Sequence, residues 1–148
     1  MVSRTHFAFD ATWRVAAPPG DLFAALAAVE DYPGWWPQVV GVQRLSDEHG
    51  IATIRSRLPV SLRLVLSRAV QDEARGVLRV GIAGDLVGFA AFTVVPEDGG
   101  GARADYRQEV RVAARHLRLG ALLAPRLLRA NHEHMMRAGE TGLQRLLG

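Results

Sequence analysis

Near the start of the chain, apolar and polar positions alternate. Phe7, Phe9, Ala11, Trp13 and Val15 fall on one parity, and Ala8, Asp10, Thr12 and Arg14 on the other. Period two is the signature of a strand with one buried face. Pro18-Pro19-Gly20-Asp21 ends that strand, and Asp21 is placed to cap a helix over residues 22–29. Two prolines in Asp31-Tyr32-Pro33-Gly34-Trp35-Trp36-Pro37 confine the next stretch to a helical turn or short helix. From there the pattern becomes a series of short strands, over residues 39–45, 51–58, 62–70, 77–83, 86–95 and 102–112. The turns between them are compact and rich in Gly and Asp: Asp47-Glu48-His49-Gly50, Arg75-Gly76, Gly84-Asp85 and Asp98-Gly99-Gly100-Gly101. Connections this short join antiparallel neighbours, because a parallel crossover needs a dozen residues or more.

The last segment, residues 115–147, changes to helical period. Advancing about 100° per residue from Leu128, a stripe of Leu117, Ala121, Ala124, Leu128, His132, Met135, Gly139, Gly142 and Leu146 falls within about 40°. Glu133, Arg137, Glu140 and Gln144 fall on the far side. Pro125 removes a backbone donor inside the segment, so a kink or late start is expected there. One helix cannot cover a flat sheet of this length. The economical arrangement is a curved antiparallel sheet wrapped around the final helix with space left between them, and that space is a candidate ligand site.

At 148 residues the chain fits one domain, residues 1–148, with no repeat or linker dividing it. Its composition, 49% hydrophobic and 22% charged, supports a real core. The absence of cysteine excludes disulfides, thiolate nucleophiles and iron–sulfur ligation. All 18 basic residues are arginine, which also excludes a Schiff-base lysine. The start lacks the apolar core of a signal peptide and no apolar run reaches a membrane span, so a soluble cytoplasmic protein is expected. The isoelectric point near 10.5 raises the question of polyanions. Residues 1–114 carry 12 arginines against 13 acidic residues, and residues 115–148 carry 6 against 2. The excess therefore sits on the C-terminal segment. Arg118, Arg126, Arg129 and Arg137 make either a solvated helix face or a basic stripe for nucleic acid or anionic membrane. Interspersed Glu133 and Glu140 favour the solvated face, and no nucleic-acid partner is expected.

Several segments in this order resemble a known family. They are Trp13-Arg14-Val15-Ala16-Ala17-Pro18, the Asp31–Pro37 motif quoted above, Gly84-Asp85-Leu86-Val87-Gly88, the glycine-rich turn before Arg103, and Asn131-His132-Glu133-His134-Met135-Met136 leading to Gly139. The chain is similar to the SRPBCC or START-like superfamily, in its polyketide cyclase/dehydrase branch. The resemblance implies an α+β helix-grip (START/Bet v 1-like) fold. That fold has a curved antiparallel sheet of about seven strands around a long C-terminal helix, with two short helices after the first strand. The superfamily includes lipid and quinone carriers, hormone receptors and aromatase/cyclases, so the fold does not choose the activity.

Candidate chemistry is sparse. His132 lies on the apolar stripe between Leu128 and Met135, either as a satisfied core histidine or as a cavity-lining donor or acid/base. His134 is about 200° around the helix, so His132 and His134 cannot chelate one metal, and neither a metal nor a cofactor is expected. On the last strand Asp105, Arg107, Glu109 and Arg111 mark the outer face, which aims Tyr106 and Gln108 at the helix. In residues 51–58, Arg55 and Arg57 mark the outside and leave Ala52, Ile54, Ser56 and Leu58 inside. Arg79 likewise leaves Leu78, Val80 and Ile82 inside. Phe89 and Phe92 point to opposite faces, with no sign of which faces in. Trp35 and Trp36 either split between packing under the first helices and closing the cavity mouth, or are plain core aromatics. No inward carboxylate pair, dinucleotide fingerprint or nucleophile elbow is present.

The expected ligand contacts are Trp36, Ile54, Leu58, Val80, Tyr106, Gln108, Leu128, Asn131, His132 and Met135. The leading expectation is binding of a hydrophobic small molecule: a lipid, isoprenoid or aromatic polyketide. The alternative, implied by the resemblance, is a cyclase, aromatase or dehydratase in which His132 or Tyr106 transfers protons.

Overall fold

The computed structural model describes residues 5–148 except 57, 59 and 60. The expectations for the first residues and for Arg57 lie outside the described residues. Seven strands form one antiparallel sheet in the order β1-β7-β6-β5-β4-β3-β2. They are β1 (His6–Val15), β2 (Val39–Arg44), β3 (His49–Arg55), β4 (Ser61–Asp72), β5 (Val77–Gly84), β6 (Leu86–Pro96) and β7 (Ala102–Val112). The ends of the chain's sheet region meet, since β1 pairs with β7 along its whole length, from His6↔Arg111 to Val15↔Ala102. Irregular register between Val39 and Gly41, and between Arg68 and Val70, adds local bend to β2 and β4.

Strand alternation sets the inner face. Phe7, Trp13 and Val15 on β1, Leu78 and Ile82 on β5, and Ala102, Ala104, Tyr106 and Gln108 on β7 are buried. Phe92 is the inward member of its pair. Phe89 lies outside, with the Arg79 guanidinium 4.0 Å over its ring. Helix α1 (Pro19–Ala27) buries Leu22, Phe23 and Leu26 and packs against β6 and β7. Its N-cap is Pro18, with no side-chain cap, and Asp21 sits inside the first turn. The expected Asp21 cap is therefore wrong. Pro19 supplies a preset first helical residue, and Asp21 acts only through its charge near the helix N-terminus. A single 3-10 segment, Val29–Gly34, follows.

The C-terminal segment is two helices, α2 (Arg115–Leu123) and α3 (Pro125–Leu147), separated by Ala124 at φ −137°, ψ 55°. Pro125 cannot donate back into the preceding turn and disfavours helical geometry at Ala124, so the chain breaks there. Helix α3 also closes the outer edge of β1. The Arg14 backbone N–H donates to Glu140 Oε2 at 2.9 Å, and Gln144 Nε2 donates to the Arg14 carbonyl at 2.8 Å. Side chains expected on the far face of the helix thus cover an open sheet edge.

Helix α3 approaches the aromatic core most closely at two glycines. A Cβ on Gly142 would lie 1.7 Å from the Trp35 carbonyl oxygen, and one on Gly139 would lie 2.8 Å from the Trp13 and Trp36 rings. Met136, Gly139 and Leu143 carry the burial here. Leu146, expected on the inward stripe, is 56% exposed, because the contact face turns toward Leu143 as the helix crosses the sheet.

Candidate functional site

Between the concave sheet and α3 the side chains leave an apolar cavity of two lobes. Ile54, Leu62, Leu86, Gln108, His132 and Met135 line both. The lobe under α2 is about 110 Å³ and adds Phe7, Phe9, Leu58, Leu128 and Asn131 to its wall. The lobe toward the tryptophans is about 130 Å³ and adds Tyr32, Trp36, Val80, Phe92 and Tyr106. A single water needs only about 10–15 Å³ of such space, so this is ligand-sized space rather than a packing defect.

The wall is almost wholly hydrocarbon, interrupted by two small polar groupings. In the first, the Tyr106 hydroxyl donates to Gln108 Oε1, and His132 Nε2 meets the same oxygen at 3.0 Å. With the amide oxygen accepting from both sides, the hydrogen bond assigns His132 as the Nε2–H tautomer. Its ring stacks on Phe9 with centroids 3.7 Å apart and planes 13° from parallel. Burial, aided by the nearby Arg129 charge, lowers the His132 pKa to about 4, so the imidazole is neutral at neutral pH. Burial pushes the Tyr106 hydroxyl well above the ordinary tyrosine range, which keeps it a proton donor. In the second grouping, Asn131 Nδ2 donates to Ser56 Oγ at 2.8 Å, tying α3 to the end of β3.

All ten residues expected at the site line this cavity. Leu58, Leu128 and Asn131 belong to the α2 lobe, and Trp36, Val80 and Tyr106 to the aromatic lobe. Ile54, Gln108, His132 and Met135 belong to both. Trp36 and Trp35 are both buried. Trp36 Nε1 donates to the Met135 carbonyl at 2.9 Å, and Trp35 packs edge-on against Trp13 and Tyr32. Neither is an exposed gate. Among the contributors missed are Phe9, which stacks on His132, and Leu62 and Leu86, which line both lobes. Phe9 was already legible as inward from strand parity. Leu86 was not, because β6 is apolar on both faces.

Among the described residues, no group of three or more His, Asp or Glu is placed to hold a metal. No helix of the described residues is long and apolar enough to cross a membrane.

Comparison with solved structures places this architecture. A START superfamily protein from Mycobacterium smegmatis superposes with a TM-score of 0.76 at 15% identity, over 95% of this chain and 96% of that one. The Zhui aromatase/cyclase from Streptomyces sp. R1128 gives 0.78 at 16% identity, over 96% and 93%. The di-domain ARO/CYC BexL from the BE-7585A biosynthetic pathway gives 0.73 at 13% identity, over 98% of this chain and 51% of that one. At these identities the likeness shows the fold, which is the START-type helix grip. No curated protein matches the chain. Residues 15–129 match the family described as polyketide cyclase / dehydrase and lipid transport, and the chain belongs to that family.

Proposed function

We propose that the protein binds a hydrophobic small molecule, a lipid, isoprenoid or aromatic polyketide, between the sheet and α3. The observation that carries this reading is the unfilled two-lobed cavity with its hydrocarbon wall. Removing apolar ligand surface from water there contributes roughly 25 cal/mol per Å². Trp36, Ile54, Leu58, Val80, Leu128 and Met135 form the apolar wall. Gln108, His132 and Tyr106 in one grouping, and Asn131 in the other, give a polar group on the ligand, such as a carbonyl or hydroxyl, a place to settle.

Proton transfer is the second reading, supported by the buried Tyr106–Gln108–His132 chain. Two features weigh against it. A histidine with a pKa of about 4 is a weak base, and its Nε2 proton is already engaged by Gln108. Binding is therefore the better-supported function.

Native mass spectrometry of the gently purified protein tests it. A co-purified mass, or saturable uptake of a long-chain lipid or polycyclic aromatic probe, is the expected result. Uptake should be lost in Val80→Trp, which fills the aromatic lobe. Uptake unchanged by Val80→Trp would remove the cavity from the account. Turnover of a polyketide substrate that falls with both His132→Ala and Tyr106→Phe would move the second reading to first place.

A further inference from the structure

Four exposed leucines are gathered in one place. Leu119, Leu122, Leu123 and Leu127 are 63%, 46%, 75% and 54% exposed, within nine residues of sequence. On α2 the first three occupy about 100° of arc, while Leu117 and Ala121 on the opposite side turn inward. The helix is thus apolar on both faces, one packed on the core and one bare.

Along the chain, the charge of this segment has a single sign. Residues 110–132 hold five arginines and no acidic residue; the two acids beyond Arg115 come later, at Glu133 and Glu140. Among the described residues, Arg115, Arg118 and Arg126 form no salt bridge, although ion pairs recur elsewhere on the surface. The break at Ala124 sets Arg118 and Arg126 on different helices, before and after Leu119, Leu122 and Leu123 in the chain. A solvated basic face would not carry four bare leucines, and an apolar contact surface alone would not be interspersed with arginines that lack ion-pair partners.

We propose that α2 and the first turn of α3 form a docking surface for anionic lipid bilayers, with Leu119, Leu122, Leu123 and Leu127 entering the headgroup–acyl boundary. The flanking arginines then meet lipid phosphates. This combination is what interfacial helices use. The other occupants fit less well. A nucleic acid has no use for the leucines. A second copy in a two-fold contact would set these arginines against their own image, with no acidic partner in the segment. The surface lies one helix thickness from the cavity, since Leu117 and Leu128 of the same two helices line the α2 lobe. Docking does not depend on the cavity being occupied, so it stands or falls apart from the binding function.

The test is co-sedimentation of the full chain with vesicles of phosphatidylcholine alone and of phosphatidylcholine containing about one-third phosphatidylglycerol. Partition should be confined to the anionic vesicles and weaken as salt is raised. It should fall at least about tenfold both in Arg115→Gln/Arg118→Gln/Arg126→Gln and in Leu119→Ser/Leu123→Ser/Leu127→Ser. All six side chains are exposed, and an unchanged melting curve verifies the fold of each variant. Absence of wild-type partition overturns the proposal. Loss in the arginine variant with full retention in the leucine variant also overturns it, in favour of plain polyanion adsorption. So does light scattering that shows a dimer dispersed by the leucine variant, with no vesicle binding.

Discussion

The two ends of α3 meet the sheet in opposite ways. Toward its C-terminus the helix presents glycine to tryptophan: Gly139 lies against the Trp13 and Trp36 rings, Gly142 against the Trp35 backbone, and Leu143 is fully buried. Toward its N-terminus it presents Leu128, Asn131 and His132, all only half-buried, to open space. One end is packed to backbone contact and the other stands off by the width of a ligand. The close end holds the helix in place, which lets the distant end keep a cavity without the fold collapsing into it. A cavity of this kind has a cost in lost contacts, and the aromatic cluster of Trp13, Trp35, Trp36, Tyr32 and Phe92 is where the structure offsets it.

The largest expected effect breaks the close end. Gly142→Ala drives a methyl into the Trp35 carbonyl, and α3 must lift away, at a cost of about 3 kcal/mol or more in urea unfolding. The matching change beyond the far end, on α2, has the opposite sign. Gly120 on α2 has nothing within 4 Å of an added Cβ, so Gly120→Ala should stabilise by about 0.5–1 kcal/mol through helix propensity alone. Two substitutions of equal chemistry should thus move the unfolding midpoint in opposite directions. Equal shifts would dissolve the contrast.

Leucine truncation sharpens the same comparison. Leu143→Ala empties a fully buried site and should cost about 3–4 kcal/mol. Leu128→Ala only enlarges a cavity that already exists and should cost about 1 kcal/mol, because few contacts are lost. Losses within a few tenths of each other would mean that the two ends are packed alike.

This difference between the ends also explains what the sequence could and could not show. Strand parity placed Tyr106, Gln108, Ile54 and Val80 inward, because a strand's side chains have only two directions. It therefore brought the expected site residues to one cavity. The helix was harder. A fixed step of about 100° per residue keeps Leu146 in line with Leu128. Along a twisted sheet, however, the contact face rotates, and Leu143 takes the buried place. The Asp21 cap failed because Pro18 and Pro19 start the helix earlier without any side-chain bond. The Phe9–His132 stack joins residues 123 positions apart, and no local pattern encodes it.

Acidification should loosen the open end. The folded-state pKa of His132 is lowered to about 4 from 6.5, so the unfolded chain takes up its proton first as pH falls. The associated stability is fully present above pH 6.5, drains between 6.5 and 4, and is gone below. Between pH 7 and 5 the loss should be about 2 kcal/mol. His132→Gln, which cannot titrate, should flatten that part of the stability profile. An equal slope in the variant would show that His132 is not the group responsible.

The smallest effect concerns the tie between Asn131 and Ser56, a polar link that joins the open end of α3 to β3 at 2.8 Å. It is a neutral, half-buried hydrogen bond, so Asn131→Ala and Ser56→Ala should each cost about 1 kcal/mol or less. Their double mutant should show a coupling of about 0.5–1 kcal/mol, because either change alone already breaks the bond. The informative comparison is with binding. If this tie only holds α3 to β3, the coupling will appear in urea unfolding and ligand affinity will follow stability. If Asn131 instead turns to a polar group on the ligand, Asn131→Ala should weaken binding about tenfold while Ser56→Ala leaves it intact or strengthens it, since the amide is then released toward the cavity. Titration of the two single variants with one hydrophobic probe separates these outcomes. It also decides whether the polar features of the open end serve the fold or the ligand.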